Sequence, residues 1–376
     1  MPKQRLITAR RVVVKLGSNV ITAKNSLNLE VIESISRQIG CLMDRGIEVI
    51  LVSSGAMAAG LRKMGLTRRP VEIPKRQAVS ALGQSGLMNA YEKTFADCDK
   101  KVAQILLTGE DLNNRKRYLN ARNTLRTLIE WHVVPIINEN DTIMVEEIKL
   151  GDNDNLAAMI TLLMDADFLF ILTDIDGLYN KDPRRFTDAR LIPKVATFKK
   201  EIEDFASHIP GTLGTGGMLS KIQAAQKVTS AGIPMIVARG NTENVLLRLF
   251  EGESLGTYFV PRKERMASRK CWIAYTLDTK GSLVIDDGAV RAVRQNGKSL
   301  LPIGVVAVEG DFEEGAAVCF KTSDNEIIGT GLVNYRSVDI NLIKGLKTYQ
   351  IEACLGDKHY DEIIHRDNLV LKDCCG

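Results

Sequence analysis

The sequence predicts an α/β fold with a mainly parallel sheet over its first 260 residues, followed by a small, mostly-β domain. Up to residue 260, short apolar runs alternate with helical patterns, which is typical of parallel sheets with right-handed crossover connections. Small or polar residues follow several of these runs, at the strand ends where α/β proteins bind ligands. Beyond Pro261 the runs become short and are separated by Gly, Asp and Asn, which predicts strands and turns.

Length and composition indicate a soluble protein of more than one domain. At 376 residues the chain exceeds the usual size of a domain, and we expect domains at 1–260 and 270–376 joined by a linker at 261–269. No apolar stretch is long enough to cross a bilayer, and the N-terminus lacks the apolar region of a signal peptide, so we expect a cytoplasmic protein without membrane contact. Seven cysteines without a CxxC pair favour reduced thiols.

Charge is distributed unevenly along the chain. Residues 269–376 contain 13 Lys and Arg against 16 Asp and Glu, a net charge of −3, which leaves +7 on residues 1–268. A mildly basic first part suits small anionic ligands such as nucleotides. The acidic C-terminal part lacks the basic stripe that tight binding to RNA requires, although RNA stays open as a ligand of that domain.

The first predicted strand, at residues 11–18, contains a lysine within an apolar run. Lys15 is compatible with a solvated strand end or with a side chain that reaches a phosphate. A helix over Leu29–Arg45 and a strand over Ile47–Val52 follow, and the strand ends in Ser53-Ser54-Gly55-Ala56, a turn whose N–H groups could hold an anion. The next predicted elements are helices at 56–64, 75–95 and about 120–131 and strands at 102–107 and 133–137.

Two polar segments follow in the same domain. The strand at 133–137 leads into the polar turn 138–141, and residues 151–155 read Gly-Asp-Asn-Asp-Asn before a predicted helix over Leu156–Leu163. One of these side chains suffices to cap a helix. The excess of Asp and Asn suggests that the segment binds an amino group or organises lysines.

The last strong signal is the glycine-rich segment 211–221. Four glycines, two threonines and Lys221 lead into a helix predicted over Leu219–Ala231, so free N–H groups, the helix dipole and a lysine could cradle a phosphate. A flexible loop is the alternative, because the spacing matches neither GxxxxGK[ST] nor GxGxxG. Upstream, the strand Phe168–Leu172 delivers Thr173 and Asp174, which could hold an adenine or a ribose.

Together these segments closely resemble the glutamate 5-kinase branch of the amino acid kinase family, and the C-terminal part, with His365-Arg366-Asp367, resembles a PUA domain. The order and spacing match along the whole first domain. The segments that carry the resemblance are 14–17, 54–56, 137–141, 151–155, 172–174 and 214–221.

The resemblance implies a three-layer α/β/α sandwich and the transfer of phosphate from ATP, with Mg²⁺, to the side-chain carboxylate of L-glutamate. The product would be L-glutamyl 5-phosphate, the first intermediate of proline synthesis. In the family pattern, Lys15 and Lys221 contact the ATP phosphates, and we expect these lysines and Asp154 to be the catalytic residues. Asp152 and Asp154 flank the substrate asparagine, and we assign them to organising lysines, the substrate amine or Mg²⁺. The residues implied in glutamate binding are Ser54, Asp141, Asn153 and Asp152, and those implied in ATP binding are Lys15, Thr173, Asp174, Thr215, Gly216, Gly217, Met218, Leu219, Ser220 and Lys221.

The same resemblance implies inhibition by proline at a site overlapping that of glutamate, and homo-oligomers, either dimers or tetramers. Three alternatives compete with this interpretation. They are a family kinase for aspartate, N-acetylglutamate, a carbamate or UMP, an RNA-binding protein, and a kinase-like regulator without activity. The C-terminal domain and the pair formed by Asn140-Asp141 and Asn153 disfavour the first, the acidic C-terminal part disfavours the second, and the presence of both lysines disfavours the third.

Overall fold

The computed structural model describes residues 3–23, 26–143, 153–198, 202, 205, 217–262, 268–277 and 279–372. The chain divides into two units, Met1–Arg265 and Met266–Gly376, each with its own buried apolar cluster. The division falls within the segment 261–269 to which the sequence assigns a linker.

A sheet of eight strands forms the centre of the first unit. In chain order, the strands of this unit, including two outside the central sheet, are β1 (Arg11–Leu16), β2 (Thr22–Ala23), β3 (Ser26–Leu27), β4 (Glu48–Ser53), β5 (Lys101–Leu107), β6 (Val133–Glu139), β7 (Phe168–Thr173), β8 (Lys194–Val195), β9 (Met235–Arg239) and β10 (Thr257–Phe259). The order across the sheet is β5-β6-β4-β1-β7-β9-β10-β8, while β2 and β3 form a separate hairpin.

Strand β1 lies in the middle of this sheet, in parallel with β4 on one side and β7 on the other. The outer strands β5, β6 and β9 continue the parallel pattern, whereas β10 runs antiparallel to β9. Five successive residues of β1 are buried, as expected for a strand covered on both faces. The mainly parallel sheet predicted from the sequence is confirmed.

Helices cover both faces of the sheet. In chain order they are α1 (Lys3–Ile7), α2 (Ser18–Ile21), α3 (Leu29–Asp44), α4 (Ala56–Lys63), α5 (Ile73–Ala96), α6 (Gly109–Asn113), α7 (Arg115–Glu130), α8 (Asn153–Leu163), α9 (Met218–Ser230) and α10 (Val245–Phe250). Side chains alternate along β1, so Val12, Val14 and Leu16 join the core that α3, α5 and α10 cover, whereas Lys15 reaches Asp154 of α8. This arrangement is the predicted three-layer sandwich.

Two element boundaries near the strand ends differ from those predicted. Strand β6 continues through Glu139, so Asn138 lies on the strand and not in a turn. Helix α8 begins at Asn153, three residues before Leu156, which places Asn153, Asp154 and Asn155 inside the first turn of the helix. These three residues and Asn138 therefore occupy regular elements, which hold side chains more rigidly than loops do.

The second unit contains a five-stranded sheet flanked by helices. Its strands are β11 (Ser282–Ile285), β12 (Val305–Glu309), β13 (Ala317–Lys321), β14 (Ile327–Leu332) and β15 (Leu369–Leu371), and its helices are α11 (Ser268–Thr276), α12 (Asp287–Asn296), α13 (Ser337–Ile343) and α14 (Ile351–Leu355). The sheet order is β12-β11-β13-β14-β15, in which β11 and β13 are parallel and the other pairs antiparallel.

Among the described residues, no helix is both long enough and apolar enough to cross a membrane.

Candidate active site

The ends of the central strands bring the predicted site residues to one edge of the sheet. In the register of β1, Leu16 lies beside Ser53 of β4 and Leu172 of β7. Beyond this level, the N–H of Gly17 donates to the Leu172 carbonyl (2.9 Å), which closes the strand end tightly. Because parallel strands end at the same edge, residues far apart in sequence become neighbours there.

Asp154 lies between the two lysines that the sequence singled out. Its Oδ1 is 2.6 Å from Lys15 Nζ, and its Oδ2 is 2.8 Å from Lys221 Nζ. The lysine side chains are each 6% exposed and that of Asp154 is 0% exposed. The solvated strand end considered for Lys15 is therefore wrong.

The electrostatics of this trio favour an anionic ligand. Burial alone would raise the pKa of the Asp154 carboxyl, but the Lys15 and Lys221 ammonium groups outweigh burial and hold that pKa well below its usual range. Asp154 is thus a carboxylate at neutral pH, and two cations face one anion. The remaining positive charge, in a site shielded from water, can stabilise a phosphate.

The start of helix α9 adds a polar contact to the trio. Gly217 occupies the N-cap position of α9, and Ser220 Oγ donates to Asp154 Oδ2 (3.0 Å) and to the Gly217 carbonyl (2.9 Å). Met218 is buried, and Leu219 is exposed. Thr215 and Gly216, like Asp152, lie outside the described residues.

A second lysine of α9 is also held by α8. Lys227 Nζ donates to Asn155 Oδ1 (2.9 Å). Asn155 follows Asp154 directly in α8, and Lys227 lies farther along α9 than Lys221. The Asp-Asn segment therefore organises two lysines of α9 as well as Lys15. This is one of the two interpretations that the sequence left open for it.

Asn153 joins the trio to a second polar cluster. Its Nδ2 donates to Ser54 Oγ (2.9 Å), to Asn138 Oδ1 (2.9 Å) and, at 3.3 Å, to the Ser53 carbonyl. Asn153 Oδ1 is buried and has no hydrogen-bond partner within the part of the chain that the structure describes. A buried acceptor of this kind is suited to a donor on a ligand. Since Asn153 precedes Asp154 directly, the two clusters lie side by side.

The turn after β4 is shaped by Gly55. Its φ of +105° lies in the left-handed region, and a Cβ there would lie 2.8 Å from Ile21 Cδ1. Only glycine therefore fits without strain. On the other side of the turn, Ser53 Oγ is 2.7 Å from Tyr91 Oη in α5, which ties the backbone next to Ser54 to a buried helix.

Asp141 lies just beyond β6 and is bound by Ser80 of α5, whose Oγ donates to Asp141 Oδ2. Burial raises the pKa of the Asp141 carboxyl, while the hydrogen bond from Ser80 and the charge of Arg69 lower it, and the net shift is upward. Among the described residues, Asp141 forms no hydrogen bond to the lysine trio. It borders the Asn153 cluster through the chain segment 138–141.

Thr173 and Asp174 end β7 on the far side of β1. Thr173 Oγ1 donates to Asp174 Oδ1 (3.1 Å), and Asn19 Nδ2 donates to Asp174 Oδ2 (3.0 Å). Farther along, Asp176 accepts from Tyr179 Oη (2.8 Å) and pairs with Arg239 at the end of β9 (3.0 Å). These polar groups form a separate rim at the same sheet edge.

Ser80 is one residue of the candidate site that sequence reasoning missed. It lies on the buried face of α5, between Val79 and Gly83, and its side chain is almost fully buried. A hydroxyl at such a position needs a hydrogen-bond partner, which is the signal that could have identified it. The identity of the partner depends on the packing of α5 against the segment after β6.

The described residues contain no group of three or more His, Cys, Asp or Glu side chains that could hold a metal ion. Asp154 is already paired with two lysines. Mg²⁺ in kinases is commonly held by one or two carboxylates together with nucleotide phosphates and water.

The arrangement of the first unit has a counterpart among known families. A model of the amino acid kinase family matches residues 10–239, more than half of the chain. The chain belongs to this family. A PUA domain model matches residues 281–355 of the second unit.

Several relatives within the amino acid kinase family are similar over nearly the full chain. The glutamate 5-kinase of Thermoanaerobacter sp. (strain X514) is 50% identical over 96% of this chain and 97% of its own. The glutamate 5-kinase of Syntrophus aciditrophicus is 49% identical over 98% and 96%, and that of Geobacter sulfurreducens 49% identical over 97% and 98%. The solved carbamate kinase from Giardia lamblia bound to AMP-PNP aligns with 68% of this chain and 100% of its own, at 18% identity and a TM-score of 0.49.

Proposed function

We propose that this amino acid kinase phosphorylates the side-chain carboxylate of L-glutamate with ATP. The observation that carries the proposal is the buried Lys15–Asp154–Lys221 trio, which lies beside the Ser54–Asn153 cluster. The trio suits a phosphate, and the neighbouring cluster offers polar groups to an amino acid. The full-length similarity to glutamate 5-kinases supports glutamate as that amino acid.

In this proposal the reaction needs no general base. The side-chain carboxylate of glutamate is ionised at neutral pH, so one of its oxygens can attack the γ-phosphorus directly. The new bond is O–P, the bond between the γ-phosphorus and the bridging oxygen breaks, and ADP leaves with the electron pair. The product is L-glutamyl 5-phosphate.

The main obstacle is repulsion between the glutamate carboxylate and the ATP phosphates, and the two lysines reduce it. Lys15 and Lys221 neutralise charge on the transferred phosphoryl group and on the leaving ADP, and Asp154 keeps both ammonium groups in place. Helix α9 directs its N-terminal N–H groups to the same region, which adds positive potential. Mg²⁺ enters as part of the MgATP substrate and screens the phosphate charges.

The proposed ligand contacts divide between two halves of the site. Ser54, Asn153, Asp141 and Asp152 bind glutamate, whose ammonium group is matched by Asp141. The ATP side comprises Thr173, Asp174 and the segment from Thr215 to Lys221, with Lys15 at the phosphates. Because proline has the same α-amino and α-carboxylate groups as glutamate, we propose that it inhibits by competing at the glutamate half. Homo-oligomers and a cytoplasmic location complete the proposal.

One assay tests the reaction. The chain is incubated with ATP, Mg²⁺, hydroxylamine and either glutamate, aspartate or N-acetylglutamate, and both ADP and hydroxamate are measured, since hydroxylamine traps acyl phosphates. We expect hydroxamate and ADP to form in equal amounts with glutamate, and neither product to form with the other two acids. A folded protein that forms no glutamate-dependent hydroxamate would refute the proposal, and turnover of another acid would redirect it.

A further inference from the structure

Helix α5 supplies the only side-chain hydrogen bond to Asp141 found in the described ranges, from Ser80 Oγ to Asp141 Oδ2. Ser80 is 1% exposed, so its hydroxyl has no ready exchange with water. Removing it would leave one carboxylate oxygen without its protein donor in a half-buried position, which is costly for a charged group.

The charge of Asp141 is not balanced as that of Asp154 is. Asp141 forms no salt bridge within the described part of the chain, and Arg69, from the loop before α5, is the charged group that influences it there. Burial opposes ionisation of the carboxyl, whereas Ser80 and Arg69 favour it. An ammonium group brought by a ligand would complete the balance.

We propose that Ser80 is a positioning residue that keeps the Asp141 carboxylate ionised and turned so that Oδ1 meets the ammonium group of the amino-acid substrate. This inference rests on the proposed function, because it needs a cationic amine in the site. Ser80 does not touch the substrate itself. It occupies Oδ2, which fixes the rotation of the carboxylate and leaves the other oxygen to the ligand.

The proposal has a kinetic signature that is specific to one substrate. In Ser80→Ala, we expect the KM for glutamate to rise at least about tenfold, because a charge-assisted hydrogen bond to the Asp141 carboxylate is lost. The values of kcat and of the KM for ATP should stay within about twofold of the wild type. The acid limb of the profile of kcat/KM for glutamate against pH should also move to higher pH. Without the Ser80 donor, the pKa of Asp141 rises further and the carboxylate is lost earlier on acidification.

A matched control separates positioning from general damage to the fold. Ser36 of α3 is fully buried and its Oγ is 2.9 Å from Thr94 Oγ1 of α5, so Ser36→Ala removes a buried hydroxyl that also bonds across to another element but does not contact Asp141. Ser80→Thr retains the hydroxyl and should recover most of the glutamate KM. Steady-state kinetics of the full chain from pH 5 to 9, with unfolding midpoints, compare the three variants with the wild type.

Each outcome decides the matter. A raised glutamate KM and a shifted acid limb in Ser80→Ala alone, with recovery in Ser80→Thr, support the positioning role. A glutamate KM within twofold of the wild type at every pH, or an equal effect of Ser36→Ala, overturns it while leaving the proposed function intact. Absence of glutamate-dependent turnover in the wild type overturns both.

Discussion

Asp154 and Asp141 are two carboxylates of one site in opposite electrostatic environments. Asp154 is fully buried between two ammonium groups, and its pKa is held well below the usual range. Asp141 is only half-buried, is bound by a neutral hydroxyl, and has a raised pKa because of burial. The first charge is compensated within the protein, and the second is not.

This difference separates a subsite whose charges are compensated within the protein from one in which they are not. In the Lys15–Asp154–Lys221 trio, the carboxylate and both ammonium groups belong to the protein, as preorganised electrostatic stabilisation of a transition state requires. Asp141 has a single hydroxyl donor among the described residues, and in the proposal above its charge meets the ammonium group of the substrate.

The largest expected effect is on stability and follows from removing the shared anion of the trio. Asp154→Asn leaves two buried ammonium groups facing each other, and we expect the free energy of unfolding to fall by about 3–5 kcal/mol. Asp141→Asn should change it by less than about 1 kcal/mol, because burial already opposes the charge there. Denaturant unfolding at pH 7 measures both. Equal losses in the two variants would erase the contrast.

The next effect is on turnover. Lys15→Ala and Lys221→Ala each remove a cation that faces the developing phosphate charge, and we expect kcat in the hydroxamate assay to fall at least about a hundredfold, or about 2.7 kcal/mol. Lys100→Ala, which breaks an ion pair with Asp44 outside the site, is the control and should keep nearly full activity. Near-normal kcat in both site variants would argue against the lysine trio as the phosphate subsite.

The two carboxylates should also give stability slopes of opposite sign against pH. The lowered pKa of Asp154 gives stability that is present above the unfolded value of about 3.9 and is lost as pH falls below it, by at most about 1.4 kcal/mol per pH unit. The raised pKa of Asp141 does the reverse, since the folded state gains relative stability as pH falls through that pKa. Unfolding of the wild type and of both Asn variants between pH 3 and 7 isolates each contribution. If both Asn variants differed from the wild type with the same dependence of unfolding free energy on pH, the predicted opposite slopes would be contradicted.

The smallest effect concerns the turn beside Ser54. Gly55→Ala adds a Cβ at φ +105°, 2.8 Å from Ile21 Cδ1, and we expect the free energy of unfolding to fall by roughly 1–2 kcal/mol. The KM for glutamate should rise over its wild-type value by a larger factor than the KM for ATP. Gly46→Ala is the matched control, since its φ is +80° and no atom lies within 4 Å of the added Cβ. It should cost less and leave both KM values unchanged. The same KM pattern in both variants would show that backbone strain alone is responsible.

Much of the fold followed from periodicity. The helix Leu29–Arg45 and the strands at 102–107 and 168–172 were predicted within one residue of the bounds observed, because each is a run with clear apolar periodicity between turn or capping residues. The start of α8 was predicted three residues late. The polar residues of its first turn were interpreted as capping residues outside the helix. In the structure they are helical, and Asp154 is buried against Lys15 and Lys221.

Residue order alone was enough to predict the α/β architecture, the segments proposed to carry the chemistry and the two lysines of the first unit. Those features are local, since they depend on the period of apolar residues and on small residues at strand ends. The fold was needed to show that Lys15 and Lys221, some two hundred residues apart, share Asp154, and that Ser80 donates a hydrogen bond to Asp141. Pairings of this kind arise from the parallel strand order and from helix packing, which no local pattern encodes.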